Sequence, residues 1–291
     1  MKRLTIGLTA TAIITLGVFA FTGCEKEENK KTTTKEYSII KSTINFNNMS
    51  ANDYGQLHND VCEYIICNYS NRFFDTNRPT DLAEIIFYMD KGIEYLVQNN
   101  ALTAINATQL LQNLTGIANT IGEDSSGCFA MQSFLESATF NDFYNLMSGL
   151  GYSLDFSSLL YPCIEALQQN PQLPWENIER DFLQPISDAT LSNPEEQFVK
   201  DIFVSICCYS AWFWNEEIPS ICAAQDPPRP QDKPRNPDLP RWVKDCSEWT
   251  IIMDGLGGIL GLPFGGAGSA AMGPTLSIAA KRNCEAGGKY K

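Results

Sequence analysis

Apolar side chains recur at three- and four-residue steps through most of this chain, and that period decides what it can fold into. The stretch DLAEIIFYMDKGIEYLVQ, residues 81–98, puts Leu82, Ile85, Ile86, Met89, Ile93, Leu96 and Val97 on one face of a helix. Thr80 is the expected N-cap, with Pro79 ahead of it. The same period predicts helices over 54–68, 103–120, 129–148, 157–169, 174–189 and 194–216. Only YSIIKSTINF, residues 37–46, alternates as a strand would, and it reads equally well as an extended lead-in. The expected fold is all-α, a multi-helix bundle.

The period breaks at residues 226–240, DPPRPQDKPRNPDLP, where six prolines in fifteen residues forbid helix and favour polyproline II. A stiff spacer is the expectation there, with an exposed recognition strip as the alternative. Beyond it, Gly257, Gly261, Gly265, Ser269, Gly273 and Ser277 fall at strict four-residue steps. On a helix they form one smooth stripe that admits a second backbone at close range. Each glycine costs a helix about 1 kcal/mol relative to alanine, and Pro263 and Pro274 each remove a ladder bond. Only close packing or a membrane compensates. From Gly255 to Ala280 there are 26 uncharged residues, long enough to span a bilayer. Two readings follow: a broken helical hairpin bent near Pro263 and buried against the body, or a membrane segment. Gly266, Gly268 and Ala271 spell a dinucleotide-like GxGxxA, but no strand precedes it and no βαβ unit follows, so the match is accidental.

The amino terminus carries a different signal. Lys2 and Arg3 precede an apolar run from Leu4 to Phe21, the pattern of a signal peptide. Phe21, Thr22 and Gly23 lead directly into Cys24 and then into a charged run. This resembles the lipobox of bacterial lipoproteins, although Phe21 stands where leucine is usual. The resemblance implies cleavage before Cys24 and acylation of its sulfur and amino group, with palmitate as a representative chain. Glu25, Lys26, Glu27 and Glu28 resemble the lysine-plus-two-acids signal that directs lipoproteins of Bacteroidota to the outer face of the outer membrane; Lys26, Glu27 and Glu28 would be the sorting residues. Residues 25–36 are polar and without an apolar period, the composition of a disordered tether.

The expected organisation is a leader over 1–23, a tether over 24–36, a helical body over 37–224, a proline-rich linker over 225–240 and a glycine-rich segment over 241–291. Loss of Lys2 and Arg3 with the leader takes the formal charge from -13 to -15. So acidic a chain repels nucleic acid, which is excluded as a partner. With Cys24 assigned to lipid, nine of the ten cysteines remain, an odd number in a compartment where disulfides persist. Cys222 and Cys246 are the expected pair because they bracket the proline-rich excursion. Cys207 and Cys208, neighbours on a helix, are not expected to join each other.

The single histidine, His58, bounds the chemistry. His58 and Cys62 stand one helical turn apart, yet one histidine with scattered cysteines is not zinc spacing, and no metal or cofactor is expected. A thiol nucleophile would need His58 as its base. The plainer expectation is that Asn52 or Asp53 caps a helix whose polar face carries His58. Residues 52–59 also resemble a recurring His-Asn opening of uncharacterised lipoproteins of the same bacterial group, which end in glycine-rich tails. The resemblance brings no activity, and it makes His58 and Asn59 the candidate functional residues, through hydrogen bonding across the helix end.

Carboxylates are plentiful, Glu195 with Glu196 and Glu216 with Glu217 among them, which leaves an acid pair for glycoside cleavage open, although adjacent glutamates point to different parts of a helix and usually mean solvation. In YSAWFWNEEIP, three consecutive rings at 212–214 cover most of a helix circumference, so some are core and one is left to stack on a sugar or anchor a partner. No catalytic constellation emerges. The expected role is a lipid-anchored, outward-facing outer-membrane protein with a non-catalytic binding function, its partner a protein or glycan. The alternatives are a membrane-active, toxin-like use of the glycine stripe and an enzyme built near His58.

Overall fold

The computed structural model describes residues 44–75, 80–121, 130–170, 173–214 and 247–285. The expectations for the leader, the tether, the proline-rich linker and the Cys222–Cys246 pair lie outside these residues. A short 3-10 turn at Phe46–Asn48 replaces the tail of the strand-like segment. It leads into α1 (Ala51–Asn68). Ser50, not Asn52 or Asp53, is the cap: its hydroxyl accepts the Asp53 N–H while the Asp53 carboxylate accepts from Ser50, a reciprocal capping box. A one-turn α2 (Ser70–Phe73) follows, then α3 (Leu82–Gln98). Its N-cap is Asp81, accepting the Glu84 N–H at 2.9 Å, rather than Thr80.

Next come α4 (Ala104–Ile121), α5 (Ala130–Ser137) and α6 (Phe140–Gly149). The continuous helix expected over 129–148 is thus two helices. Thr139 starts a new one because it forms its own capping box with Asp142. α7 (Leu154–Gln169) is capped by Ser153. The region expected as one helix over 174–189 is α8 (Trp175–Ile178), a π-helical turn at Glu179–Leu183 and α9 (Gln184–Asp188). α10 (Pro194–Trp212) opens on Asn193 and a proline at its first position.

The last two elements are α11 (Ser247–Gly261) and α12 (Gly266–Glu285), joined by a 3-10 turn at Leu262–Phe264. Gly265 closes that turn with φ 81, the left-handed region that favours glycine. The four-residue stripe is therefore not one helix face. It folds on itself, with Gly257 and Gly261 on α11 and Ser269, Gly273 and Ser277 on α12. A Cβ at Gly257 would stand 2.9 Å from the Gly273 Cα, and one at Gly261 would collide with the Gly268 carbonyl. Backbone packs on backbone.

This hairpin is the centre of the molecule. Residues 249–261 and 267–282 are buried on every side, which is the burial a helix apolar all round requires. α1, α3 and α10 pack directly against it. Glycines 255, 257, 258, 268 and 273 cost these helices about 5 kcal/mol together. Ile251, Ile252, Met253, Leu256, Ile259 and Leu260, each at most 2% exposed, return about 1.5 to 3 kcal/mol apiece, so burial prevails. Where Pro274 interrupts the ladder, the Thr275 hydroxyl donates to the Ala271 carbonyl at 2.8 Å. Near the end of α11 the Tyr152 hydroxyl donates to the Ile259 carbonyl at 2.6 Å.

Candidate functional site

His58 lies in the middle of α1 at 1% exposure, on the face turned to the hairpin rather than on a polar face. Gly273 makes the room: a Cβ there would stand 3.2 Å from His58 Cδ2. Four elements meet around the ring. Asn59, the next residue of α1, places its Oδ1 3.0 Å from His58 Nδ1 and donates through Nδ2 to the Tyr209 carbonyl of α10 at 2.9 Å. On the other side, His58 Nε2 stands 3.2 Å from Oδ1 of Asp254 on α11 and 3.7 Å from Sγ of Cys62. Asp254 Oδ2 accepts from the Ser210 hydroxyl and from Trp214 Nε1, which also donates to Ser277 of α12 at 2.9 Å.

Both ring nitrogens therefore face oxygen acceptors, and only an imidazolium has a proton for each. Burial works against that charge, but the Cys62 sulfur and the Asp254 carboxylate outweigh it and lift the His58 pKa well above its ordinary 6.5. Burial also raises the Cys62 thiol, partly offset by His58. Asp254 is the oxygen partner of the ring at Nε2. Outside His58, Asp254 Oδ1 has no hydrogen-bond donor, so each half of the pair depends on the other.

A thiol relay needs the acid on one imidazole nitrogen and the nucleophile on the other. Here Asp254 and Cys62 share Nε2 while Nδ1 is turned to Asn59, and the whole group is sealed from solvent. The geometry is that of a buried ion pair. Among the described residues no cluster of three histidine, cysteine or acidic side chains is arranged to hold a metal ion.

The other sequence candidates are dispersed. Glu196 is 6% exposed and accepts from the Ser153 backbone N–H at 2.6 Å and its hydroxyl at 2.7 Å, so it anchors the start of α7. Glu195 is exposed beside it and forms no acid pair with it; Glu216 and Glu217 lie outside the described residues. Of the three rings, Phe213 and Trp214 are core and Trp212 is 44% exposed. Cys208 is disulfide-bonded, whereas the buried Cys207 thiol donates to the Ile251 carbonyl at 3.6 Å. Asp254 and Ser210 escaped the sequence reading, and Trp214 and Ser277 were legible only as a ring and a stripe residue, not as parts of this site. Asp254 carried one usable signal, as the only ionisable residue between Glu248 and Lys281.

A second buried charge cluster closes the far end of the hairpin. Arg282 Nη1 donates to Glu84 at 2.6 Å, and Arg72 grips the same carboxylate at 2.7 to 3.0 Å while its guanidinium lies 3.5 Å from the centre of the Phe87 ring. No protein-family model matches the chain, and neither a curated protein nor a solved structure is detectably similar to it.

Proposed function

We propose that the chain is a lipid-anchored protein of the bacterial outer membrane, displayed outward, whose helical body has a non-catalytic binding or interaction role. The anchoring half rests on the run Phe21-Thr22-Gly23-Cys24 and the charges after it. The non-catalytic half rests on one observation: the only histidine is sealed, and both of its nitrogens are spent on Asn59 and Asp254. Trp212 on α10 is the exposed ring best suited to hold a partner, a protein surface or a sugar face.

The membrane-active alternative draws on the all-round apolar hairpin. Two observations weigh against it: Asp254 and Arg282 sit on that hairpin in ion pairs with α1 and α3, and no described helix is long and apolar enough to cross a membrane. The test of the anchor is metabolic labelling with a tritiated fatty acid. The parent protein is expected to take up label and Cys24→Ala to take up none; equal labelling of the two would refute acylation at Cys24.

A further inference from the structure

The hairpin turn emerges from the bundle at the end where the described chain begins. Phe46 and Tyr54 place their rings 6.4 Å apart, and Phe198 of α10 meets Tyr54 edge-on at 6.3 Å. Leu262 packs into the same cluster, with Tyr54 and Ile202 beneath it. Gly266 lets this cluster close on the turn, since a side chain there would collide with the Phe46 ring and the Tyr54 hydroxyl. Above the cluster, Phe198 is 42% exposed, Pro263 is exposed, and Leu262 and Phe264 are half-buried. The result is an end where apolar side chains from three separate stretches of chain meet, with Asn45, Asn47 and Asn48 exposed beside them.

Two of those stretches, from Ile44 to Asn52 and from Gly255 to Ala280, carry no ionisable group in a chain of formal charge -13, while on the third Glu195 and Asp201 flank Phe198. A turn and lead-in free of charge on so acidic a molecule suit a lipid interface, where rings and aliphatic side chains settle at headgroup depth and flanking carboxylates remain in water. Position points the same way. Nineteen residues separate Cys24 from Ile44; fully extended they keep this end within about 65 Å of the anchor, and a coil of that length within roughly 25 Å.

We propose that this end of the bundle, Phe46, Phe198 and the turn Leu262-Pro263-Phe264, rests on the lipid surface that holds Cys24. The inference presupposes acylation. Tethering is what makes the contact effective: a patch too small to hold a free molecule to a membrane is engaged when a short linker keeps the surface at millimolar effective concentration. The contact sets the bundle upright on the membrane, with the Asn68 end of α1, about 26 Å further along its axis, directed outward.

The experiment uses the acylated full-length mature chain reconstituted into phosphatidylcholine vesicles, with and without brominated acyl chains, which quench an indole only at close range. Phe264→Trp adds a reporter at the turn, Phe198→Trp a second on α10, and Asn68→Trp a control at the opposite end of α1. Emission from the first two is expected to fall in brominated vesicles beyond the loss seen in the parent, while Asn68→Trp matches the parent. Absence of extra quenching at both turn-end reporters, in protein that still floats with the vesicles, would overturn the contact and leave the anchor standing. Reporter emission that depends on protein density and not on bromine would overturn it in favour of a second copy of the chain. Failure of the acylated protein to float with vesicles would overturn the anchoring reading and this inference with it.

Discussion

At the scale of single residues, the only histidine is buried against a carboxylate, with its pKa raised well above the ordinary value. A group whose folded pKa is raised contributes stability that is complete below its unfolded pKa and lost as pH climbs through the folded one. For His58 the decline starts above about 6.5, its ordinary value. Urea titrations of the acyl-free chain, residues 25–291, should show unfolding free energy falling as pH rises from 6.5, and His58→Gln should flatten that slope. Asp60 adds a separate step: burial and the neighbouring Glu63 lift its pKa from 3.8 to about 6. Its contribution is lost between those two values, below the His58 window, and Asp60→Asn should remove that step alone. Asp254→Ala leaves the imidazolium without its counter-charge, and such losses cost about 3 to 5 kcal/mol. The double variant His58→Gln/Asp254→Ala should cost less than the sum of its single changes; strict additivity would mean the pair is not coupled. Little of this was legible in the sequence. Spacing along α1 could bring Cys62 to His58, but Asp254 lies almost two hundred residues away and only the packing of α11 brings it there.

At the scale of elements, the hairpin depends on glycine for contact rather than for flexibility. Gly261 meets the Gly268 carbonyl with no room for a Cβ, so Gly261→Leu must separate α11 from α12. Overpacking of this kind costs about 1 to 3 kcal/mol, and the melting temperature of the acyl-free chain should drop accordingly. An unchanged melting temperature would show that the two backbones do not meet there. Glu196 joins α10 to α7 through the Ser153 cap, and Glu196→Ala should destabilise by about 1 to 3 kcal/mol because it removes two hydrogen bonds to a buried carboxylate. The all-α class was readable because amphipathic stripes are a local property. Boundaries were less so: Thr139 breaks the 129–148 run and Asp81 displaces Thr80, each by winning a backbone hydrogen bond that periodicity does not register. The stripe of small residues was visible, but a strict four-residue step describes one helix equally well as two facing each other. The turn at Leu262–Phe264 decided between them.

At the scale of the whole molecule, removal of the hairpin is a direct test of where the core lies. A chain ending at residue 240 lacks every residue that α1, α3 and α10 enclose, and it should show no cooperative unfolding transition by circular dichroism; a sharp transition would place the core elsewhere. Display, as proposed, is a separate property assigned to the charged run after Cys24. Replacing Lys26, Glu27 and Glu28 with alanine should preserve acylation yet protect the protein from protease added to intact cells, and undiminished cleavage would refute the sorting role. The central position of α11 and α12 also bears on timing. The hairpin against which α1 packs is some two hundred residues downstream of it in the chain, and a ribosome adding about 5 to 20 residues per second needs roughly 10 to 40 seconds to reach it. Throughout that interval the earlier helices can pair with one another, as α3 does with α4 and α6 with α7, but lack their central partner. Contacts of such long sequence separation also form slowly once the chain is complete. Under the proposed export the polypeptide must stay threadable until it has crossed, and a central hairpin made after the helices that enclose it supplies that delay in the order of synthesis.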